Sequence, residues 1–143
     1  MESTAMLRGM ANVSLWADDL KEARTWYTRV FGTEPYFQRP DTDNPFYIEF
    51  RVGDYQHEVG IVSKKFMPKV ATPGPGGAIL YWHVDDVKKT MAGLLAIGAK
   101  EYEPITKRGE GFITASVLDP FGNVLGIMYN RHYLEMLSSL KEK

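Results

Sequence analysis

His83 and Glu58 are the side chains of this chain best suited to chemistry, and both fall in segments whose polarity alternates as in β-strands. His83 alternates with Tyr81 in one predicted strand, and Glu58 alternates with Gly60 in another. Histidine and glutamate are common general acids and bases, so this pattern indicates proton transfer or the orientation of a bound ligand. The alternative interpretation is structural: a hydrogen-bonded histidine near the end of a sheet, and a solvated glutamate beside the turn at residues 53–54.

Two stretches of the chain are copies of one another, which indicates a paired module. The first runs from Asn12 to Leu20 and the second from Ile79 to Val87, and both carry an Asp-Asp pair before a helical pattern. The helical patterns end at Gly32 and Gly98, because glycine tolerates the left-handed conformation at a helix end. Each copy is followed by a β-rich tail that contains a Gly-Ile pair, Gly60-Ile61 in one and Gly126-Ile127 in the other.

The pattern predicts an α+β fold of two tandem β-α-β-β-β modules that form a cupped mixed sheet around a cavity. The whole chain, residues 1–143, is expected to be a single domain. Its predicted parts are module one at about 8–63, a Pro- and Gly-rich linker at 64–77, module two at 78–130 and a C-terminal helix at 131–143. Two of the strands, near residues 34–38 and 102–107, carry the weakest signal.

The polar face of each first strand is expected to line the cavity. Trp16 and Tyr81 on those faces are suited to stacking on a planar ligand, although core filling would use the same residues. The alternation of Glu49 with Arg51 suggests a charge pair whose side of the sheet the sequence leaves open. The predicted ligand-binding residues are Asn12, Ser14, Trp16, Glu58, Gly60, Ile79, Tyr81, His83, Gly126 and Met128.

Composition excludes several classes of function. The 143 residues hold 17 Lys+Arg and 18 Asp+Glu, a net charge of -1, which provides no electrostatic footprint for nucleic acid. The chain has no cysteine, so disulfides and thiolate ligands are excluded. Its N-terminus lacks the apolar segment of a signal peptide, and no apolar run approaches the ~20 residues that span a bilayer. We therefore expect a cytoplasmic protein with neither membrane nor nucleic-acid partners.

The order and spacing of three motifs resemble the vicinal oxygen chelate superfamily, which includes glyoxalase I, extradiol dioxygenases and bleomycin resistance proteins. The resemblance covers roughly residues 10–130. It rests on the paired Asp-Asp helix starts, on the Phe31-Gly32 end of the first helix after Trp26-Tyr27, and on the turn Asp119-Pro-Phe-Gly-Asn123 before the last strand. Because this fold carries many activities, the resemblance implies the fold more strongly than any single reaction.

The resemblance implies a site for a divalent metal, because enzymes of this superfamily hold one through side chains on four strands. The matching positions here are Asn12 and Ile79 in the first strands, and Gly60 and Gly126 in the last strands. A slip of one or two residues in the register at Gly60 would substitute Val59 or Glu58. Since a catalytic metal takes about three protein ligands, we expect no metal and no other cofactor.

The resulting hypothesis is a metal-free protein that binds an apolar or aromatic organic ligand. No catalytic residue is assigned. The resemblance implies a homodimer. One alternative is a metal-dependent lyase, isomerase or dioxygenase with ligands relocated to His57, Glu58 and His83, although neighbours on a strand point to opposite faces. A further alternative is a metal-free enzyme in which His83 and Glu58 transfer protons.

Overall fold

A computed structural model describes residues 6, 8–68 and 77–141 of the chain. The chain divides into two units, Met1–Lys69 and Val70–Lys143. Each unit holds one four-stranded sheet of mixed strands, and the two sheets repeat the same strand order. The predicted β-α-β-β-β modules and the α+β class are therefore confirmed, while the assignment of residues 1–143 to one domain stays a prediction.

The first unit places a long helix after its first strand. The elements are β1 (Asn12–Ala17), α1 (Leu20–Phe31), β2 (Phe37–Arg39), β3 (Tyr47–Val52), β4 (His57–Ser63) and one turn of 3-10 helix (Lys64–Phe66). The sheet has the order β1-β4-β3-β2, with β1 parallel to β4 and the other neighbours antiparallel.

Helix α1 begins and ends where the sequence indicates. The Asp19 carboxylate accepts from the backbone N–H groups of Lys21 and Glu22 at 3.0 and 3.1 Å, which satisfies donors that the first turn leaves free. Gly32 ends the helix with φ 69°, a left-handed conformation that glycine adopts without strain. Between these ends, Ala23 and Tyr27 are fully buried, so this side of the helix belongs to the core.

The second unit repeats this arrangement and adds a helix. The elements are β5 (Tyr81–His83), α2 (Val87–Ala96), β6 (Lys100–Gly109), β7 (Phe112–Leu118), β8 (Val124–Asn130) and α3 (Arg131–Lys141). The sheet has the order β5-β8-β7-β6, with β5 parallel to β8. The Asp119 carboxylate accepts from the backbone N–H groups of Phe121 and Asn123 at 2.9 and 2.7 Å and shapes the turn before β8.

Several predicted boundaries were wrong. Ile79 was assigned to the first strand of module two, but β5 begins only at Tyr81, and Ile79 lies in the segment before it. The strands near 34–38 and 102–107 are observed at Phe37–Arg39 and Lys100–Gly109. Of the predicted linker, residues 64–66 form a 3-10 turn rather than a loop, and residues 69–76 lie outside the described residues.

The core of each unit lies on one face of its sheet. In the first unit, Ile48, Phe50 and Ile61 are fully buried, and in the second Ala115 and Val117 are. Because side chains alternate along a strand, the intervening residues form the opposite face of each sheet. No helix among the described residues is long and apolar enough to cross a membrane.

Candidate functional site

The face of the first sheet opposite its core carries most of the polar side chains of that sheet. The strand register sets Asn12 opposite Glu58 and Ser14 opposite Gly60, and it sets Glu49 on the other side of Gly60. We call this the first polar face. Its residues are Asn12, Ser14, Trp16, Phe37, Tyr47, Glu49, Arg51, Glu58 and Gly60.

A chain of hydrogen bonds crosses the first polar face. The Ser14 hydroxyl donates to Asn12 Oδ1 at 2.9 Å, and Asn12 Nδ2 donates to Glu58 Oε2 at 2.8 Å. Arg51 Nη2 lies 3.4 Å from the other oxygen of Glu58. This network orients the Glu58 carboxylate from two sides, so Glu58 is a positioned group and not a freely solvated one.

Glu49 has a different environment from Glu58 on the same face. The Tyr47 hydroxyl donates to Glu49 Oε1 at 2.5 Å. Burial raises the pKa of Glu49, and the negative charge of Glu58 raises it further, while Arg51 opposes both. Burial also raises the pKa of Tyr47, which keeps the phenol in its neutral donor form. The first polar face therefore holds one carboxylate, Glu49, whose surroundings favour its protonated form.

The corresponding face of the second sheet is built around Glu103. The register sets Tyr81 and Ser116 on either side of Gly126, with Glu103 opposite Ser116. The Tyr81 hydroxyl donates to Glu103 Oε1 at 2.6 Å, and the Ser116 hydroxyl donates to the same oxygen at 2.8 Å. We call this the second polar face, which consists of Tyr81, His83, Glu103, Thr114, Ser116, Gly126 and Met128.

The hydrogen bonds to Glu103 determine its protonation. The bond from Tyr81 lowers the pKa of Glu103, and the bond from Ser116 and the charge of Arg108 lower it further. The same Tyr81–Glu103 bond raises the pKa of Tyr81, together with burial. Arg108 donates through Nε to the Thr114 hydroxyl at 3.1 Å, next to the cluster. At neutral pH the cluster therefore holds an ionised carboxylate and a neutral phenol.

His83 lies at the end of the second polar face, where it is tied to the start of helix α3. Only 7% of its side chain is exposed. Its Nδ1 accepts from the backbone N–H of Asn130 at 3.1 Å, and its ring stacks on Tyr133 at 4.7 Å between centroids with an interplanar angle of 7°. These contacts match the structural interpretation of His83, a hydrogen-bonded histidine near the end of a sheet.

A tyrosine ring occupies the space above a glycine in both sheets. A β-carbon added at Gly60 would lie 2.7 Å from the hydroxyl oxygen of Tyr47. One added at Gly126 would lie 2.7 Å from Cδ1 of Tyr81. Both distances are too short for real carbon atoms, so the rings fit because residues 60 and 126 lack side chains.

The register also fixes the positions at which the resemblance implies metal ligands. Gly60 pairs with Ser14 and Gly126 pairs with Tyr81, which are equivalent residues in the two copies, so the suspected slip at Gly60 does not occur. Neither glycine has a donor atom, and the tyrosine rings fill the space that a ligand side chain would need. With Ile79 also lacking a donor, the four positions do not fit a catalytic divalent metal.

The relocated ligand set does not come together either. His57 and Glu58 are successive residues of β4, and their partners Val52 and Arg51 belong to the core face and the polar face of β3. Within residues 6, 8–68 and 77–141, no group of three or more His, Asp or Glu side chains is arranged to hold a metal ion.

The predicted site residues divide into two groups, one on each sheet. The first polar face contains Asn12, Ser14, Trp16, Glu58 and Gly60, and the second contains Tyr81, His83, Gly126 and Met128. Ile79 precedes the second sheet. The prediction that these residues bind a ligand stays a prediction.

Sequence reasoning missed the residues that complete both networks. Glu49 and Tyr47 could have been placed, because they alternate with the apolar residues 48, 50 and 52 of the core face. Glu103 could not, since β6 contains register shifts on both sides of Glu103 that disrupt its alternation. Ser116 gave no signal, as it is fully buried between the apolar residues Ala115 and Val117.

Comparison with known proteins identifies the family. The model of the Glyoxalase/Bleomycin resistance protein/Dioxygenase superfamily matches residues 9–127. No curated protein matches the sequence significantly.

Solved structures with similar folds include a glyoxalase-related enzyme from Fulvimarina pelagi, with a TM-score of 0.66 and 23% identity over 87% of this chain and 89% of that one. A superfamily member from Sphaerobacter thermophilus has a TM-score of 0.65 and 18% identity over 87% and 98%. A bleomycin resistance determinant encoded on the transposon Tn5 has a TM-score of 0.59 and 17% identity over 87% and 99%. At these identities the structures support the fold alone, and with the family model they establish that the chain belongs to the Glyoxalase/Bleomycin resistance protein/Dioxygenase superfamily.

Proposed function

We propose that this protein binds a small organic molecule on its polar sheet faces without a metal ion. The observation that carries the proposal is the Tyr–Gly arrangement: a phenol ring lies over Gly60 in one sheet and over Gly126 in the other. Each phenol is hydrogen-bonded to a glutamate. Hydrogen-bonding groups therefore stand where a metal enzyme of this fold would place metal ligands.

The side chains around these arrangements suit a ligand that is partly aromatic. Trp16 follows Ser14 on the first polar face, and Phe37 lies opposite Glu49 on it. Aromatic rings beside positioned polar groups are typical of small-molecule sites, where the rings supply contact area and the polar groups supply orientation. The ligand is expected to combine an apolar or aromatic body with hydrogen-bonding groups.

We favour binding over catalysis because the hydrogen bonds of the two polar faces do not bring His83 and Glu58 together as an acid–base pair. His83 is held by Asn130 and Tyr133, which supports a structural role for it. Relatives of this fold include both an enzyme-related protein and a resistance determinant, so the side chains and not the fold decide between the two.

We further propose that the protein is a homodimer, which light scattering after gel filtration would test.

A fragment screen tests the proposed function. Small aromatic compounds of neutral, acidic and basic character would be added to EDTA-treated, isotope-labelled protein, and amide shifts would be followed by NMR. We expect some fragments to shift amides of β1, β4, β5 or β8. Binding confined to other surfaces, or an absence of binding by every fragment class, would contradict the proposal.

A further inference from the structure

The hydroxyl protons of Tyr81 and Ser116, on the second polar face, both point at Glu103. A hydroxyl group has one proton to donate. Tyr81 gives its proton to Glu103 Oε1 at 2.6 Å, and Ser116 gives its proton to the same atom at 2.8 Å. Ser116 is fully buried, so what this pair leaves for a ligand is the lone pairs of the Tyr81 oxygen, which can only accept hydrogen bonds.

Glu103 adds acceptors and a negative charge to these lone pairs. Both hydroxyls bind Oε1, and a carboxylate offers about four acceptor sites over its two oxygens. Because the pKa of Glu103 is lowered, the carboxylate remains ionised at neutral pH. Tyr81 and Glu103 thus present oxygen acceptors together, with a negative charge that favours a cation, while the buried Ser116 holds the carboxylate in place.

The first polar face repeats the inward orientation with different residues. Ser14 donates its proton to Asn12 Oδ1, Asn12 donates to Glu58, and Tyr47 donates to Glu49. On both faces, although the two copies share few identical residues there, the serine and tyrosine hydroxyl protons are therefore directed at acceptors within the sheet. The repetition makes an accidental arrangement in the second copy a poor explanation.

We propose that the cluster of Tyr81, Ser116 and Glu103 binds a cationic N–H group of the ligand, an amine or an amidine. The inference rests on the proposed function and specifies its ligand class. An ammonium or amidinium group offers only donors, which complements a cluster of acceptors. Hydrogen bonds between charged partners are also about twice as strong as those between neutral ones. A carboxylate or phosphate ligand would meet acceptors and the like charge of Glu103, and the Arg108 side chain beside the cluster is directed at Thr114.

Four probes of nearly equal size test the proposal on the full chain. Benzamidine and benzylamine carry the proposed group, whereas benzoate and benzyl alcohol replace it with an acid and a neutral hydroxyl. Each would be titrated into labelled, EDTA-treated protein at low salt and followed by NMR. We expect the two cationic probes to shift the amides of Tyr81, Ser116 and Gly126, and we expect benzoate not to.

Two variants with the same change in charge locate the effect. Glu103→Gln keeps an acceptor oxygen for Tyr81 and Ser116, and it should weaken binding of benzamidine by about tenfold, the scale of a lost charge-assisted bond. Glu101→Gln alters an exposed residue of the same strand outside the cluster and should leave binding unchanged.

The outcomes separate this inference from the proposed function. If benzoate or benzyl alcohol binds the second polar face as well as benzamidine does, the amine proposal is wrong and the proposed function stands. The same holds if Glu103→Gln has no effect on benzamidine. If no probe and no other fragment binds either polar face, both are wrong.

Discussion

Tyr81 and Gly126 are matched across the parallel pair β5–β8: the phenol ring lies where any larger residue would place its β-carbon, 2.7 Å from Cδ1 of the ring. Tyr47 and Gly60 have the same relation in the other sheet, at 2.7 Å from the hydroxyl oxygen. The two contacts differ in what surrounds them. At Gly126 the carbonyl oxygen of Leu80 lies 2.8 Å from the added carbon, whereas at Gly60 the three nearest atoms all belong to the Tyr47 side chain.

Replacement of Gly60 and of Gly126 by alanine should therefore lower the free energy of unfolding by unequal amounts. Gly126→Ala forces backbone to move and should destabilise the protein by about 1–3 kcal/mol, while Gly60→Ala should cost less because Tyr47 can rotate away. Gly93→Ala, in helix α2 with no atom within 4 Å of the added carbon, should be stabilising by roughly 0.5–1 kcal/mol. Urea unfolding measures all three, and equal costs at 60 and 126 would show that Leu80 does not constrain the site.

Removing the Tyr81 hydroxyl should change the titration of Glu103. The bond from Tyr81 is the largest cause of the lowered pKa of Glu103, so Tyr81→Phe should move that pKa upward toward its ordinary value. Because the folded-state pKa is lowered, Glu103 contributes stability above its ordinary pKa that is lost as the pH falls through the lowered value. Carbon-13 NMR of the side-chain carboxyl carbon follows the titration directly. A pKa of Glu103 that is the same in both proteins would contradict the observed network.

The pKa of Glu49 should be shifted upward, in the opposite direction from that of Glu103. Burial and the charge of Glu58 raise its pKa, so the stability linked to Glu49 is present below the ordinary pKa and is lost as the pH rises through the raised value. In the same carbon-13 experiment Glu49 should lose its proton at a higher pH than Glu103 does. Glu58→Gln removes the neighbouring charge and should bring the pKa of Glu49 down. An unchanged value in that variant would mean that burial alone sets it.

His83→Ala should loosen helix α3. The substitution removes the acceptor of the Asn130 N–H and the ring that stacks on Tyr133, and an unpaired buried donor costs about 1–3 kcal/mol. Hydrogen exchange should accelerate at Asn130 and in the first turn of α3. His57→Ala, at an exposed position of β4, is the control and should change stability by roughly 0.5 kcal/mol or less. If exchange in α3 is unchanged, His83 does not hold the helix.

The positions of Trp16 and Trp82 show how far strand alternation can be trusted. Alternation correctly set Trp16 with Asn12 on the polar face of β1, because the other face of β1 carries residues 13, 15 and 17 toward the core. The same alternation predicts a buried Trp82 on the face of β5 opposite Tyr81, and the register does pair Trp82 with the buried Ile127, but Trp82 is only half-buried. Glu103 was beyond this reasoning, since periodicity is lost where β6 changes register.

Trp16→Ala should weaken ligand binding by several-fold, because stacking of two aromatic groups contributes about 0.5–1.5 kcal/mol beyond burial of area. Trp82→Ala should act on stability instead, at less than the roughly 3–5 kcal/mol of a fully buried tryptophan. Fluorescence quenching and thermal unfolding distinguish the two variants. The reverse pattern, with Trp16 needed for folding and Trp82 for binding, would mean that the two faces were exchanged in our assignment.

The affinity for an organic fragment with and without a divalent metal tests the central claim most directly. Protein treated with EDTA, with its metal content checked by elemental analysis, would be titrated with the tightest-binding fragment before and after addition of Zn²⁺, Mn²⁺ or Ni²⁺. We predict equal affinities, because tyrosine rings fill the space above Gly60 and Gly126 and neither glycine offers a donor atom to a metal. Binding that requires a stoichiometric metal, and that is lost in Glu58→Ala, would contradict the account.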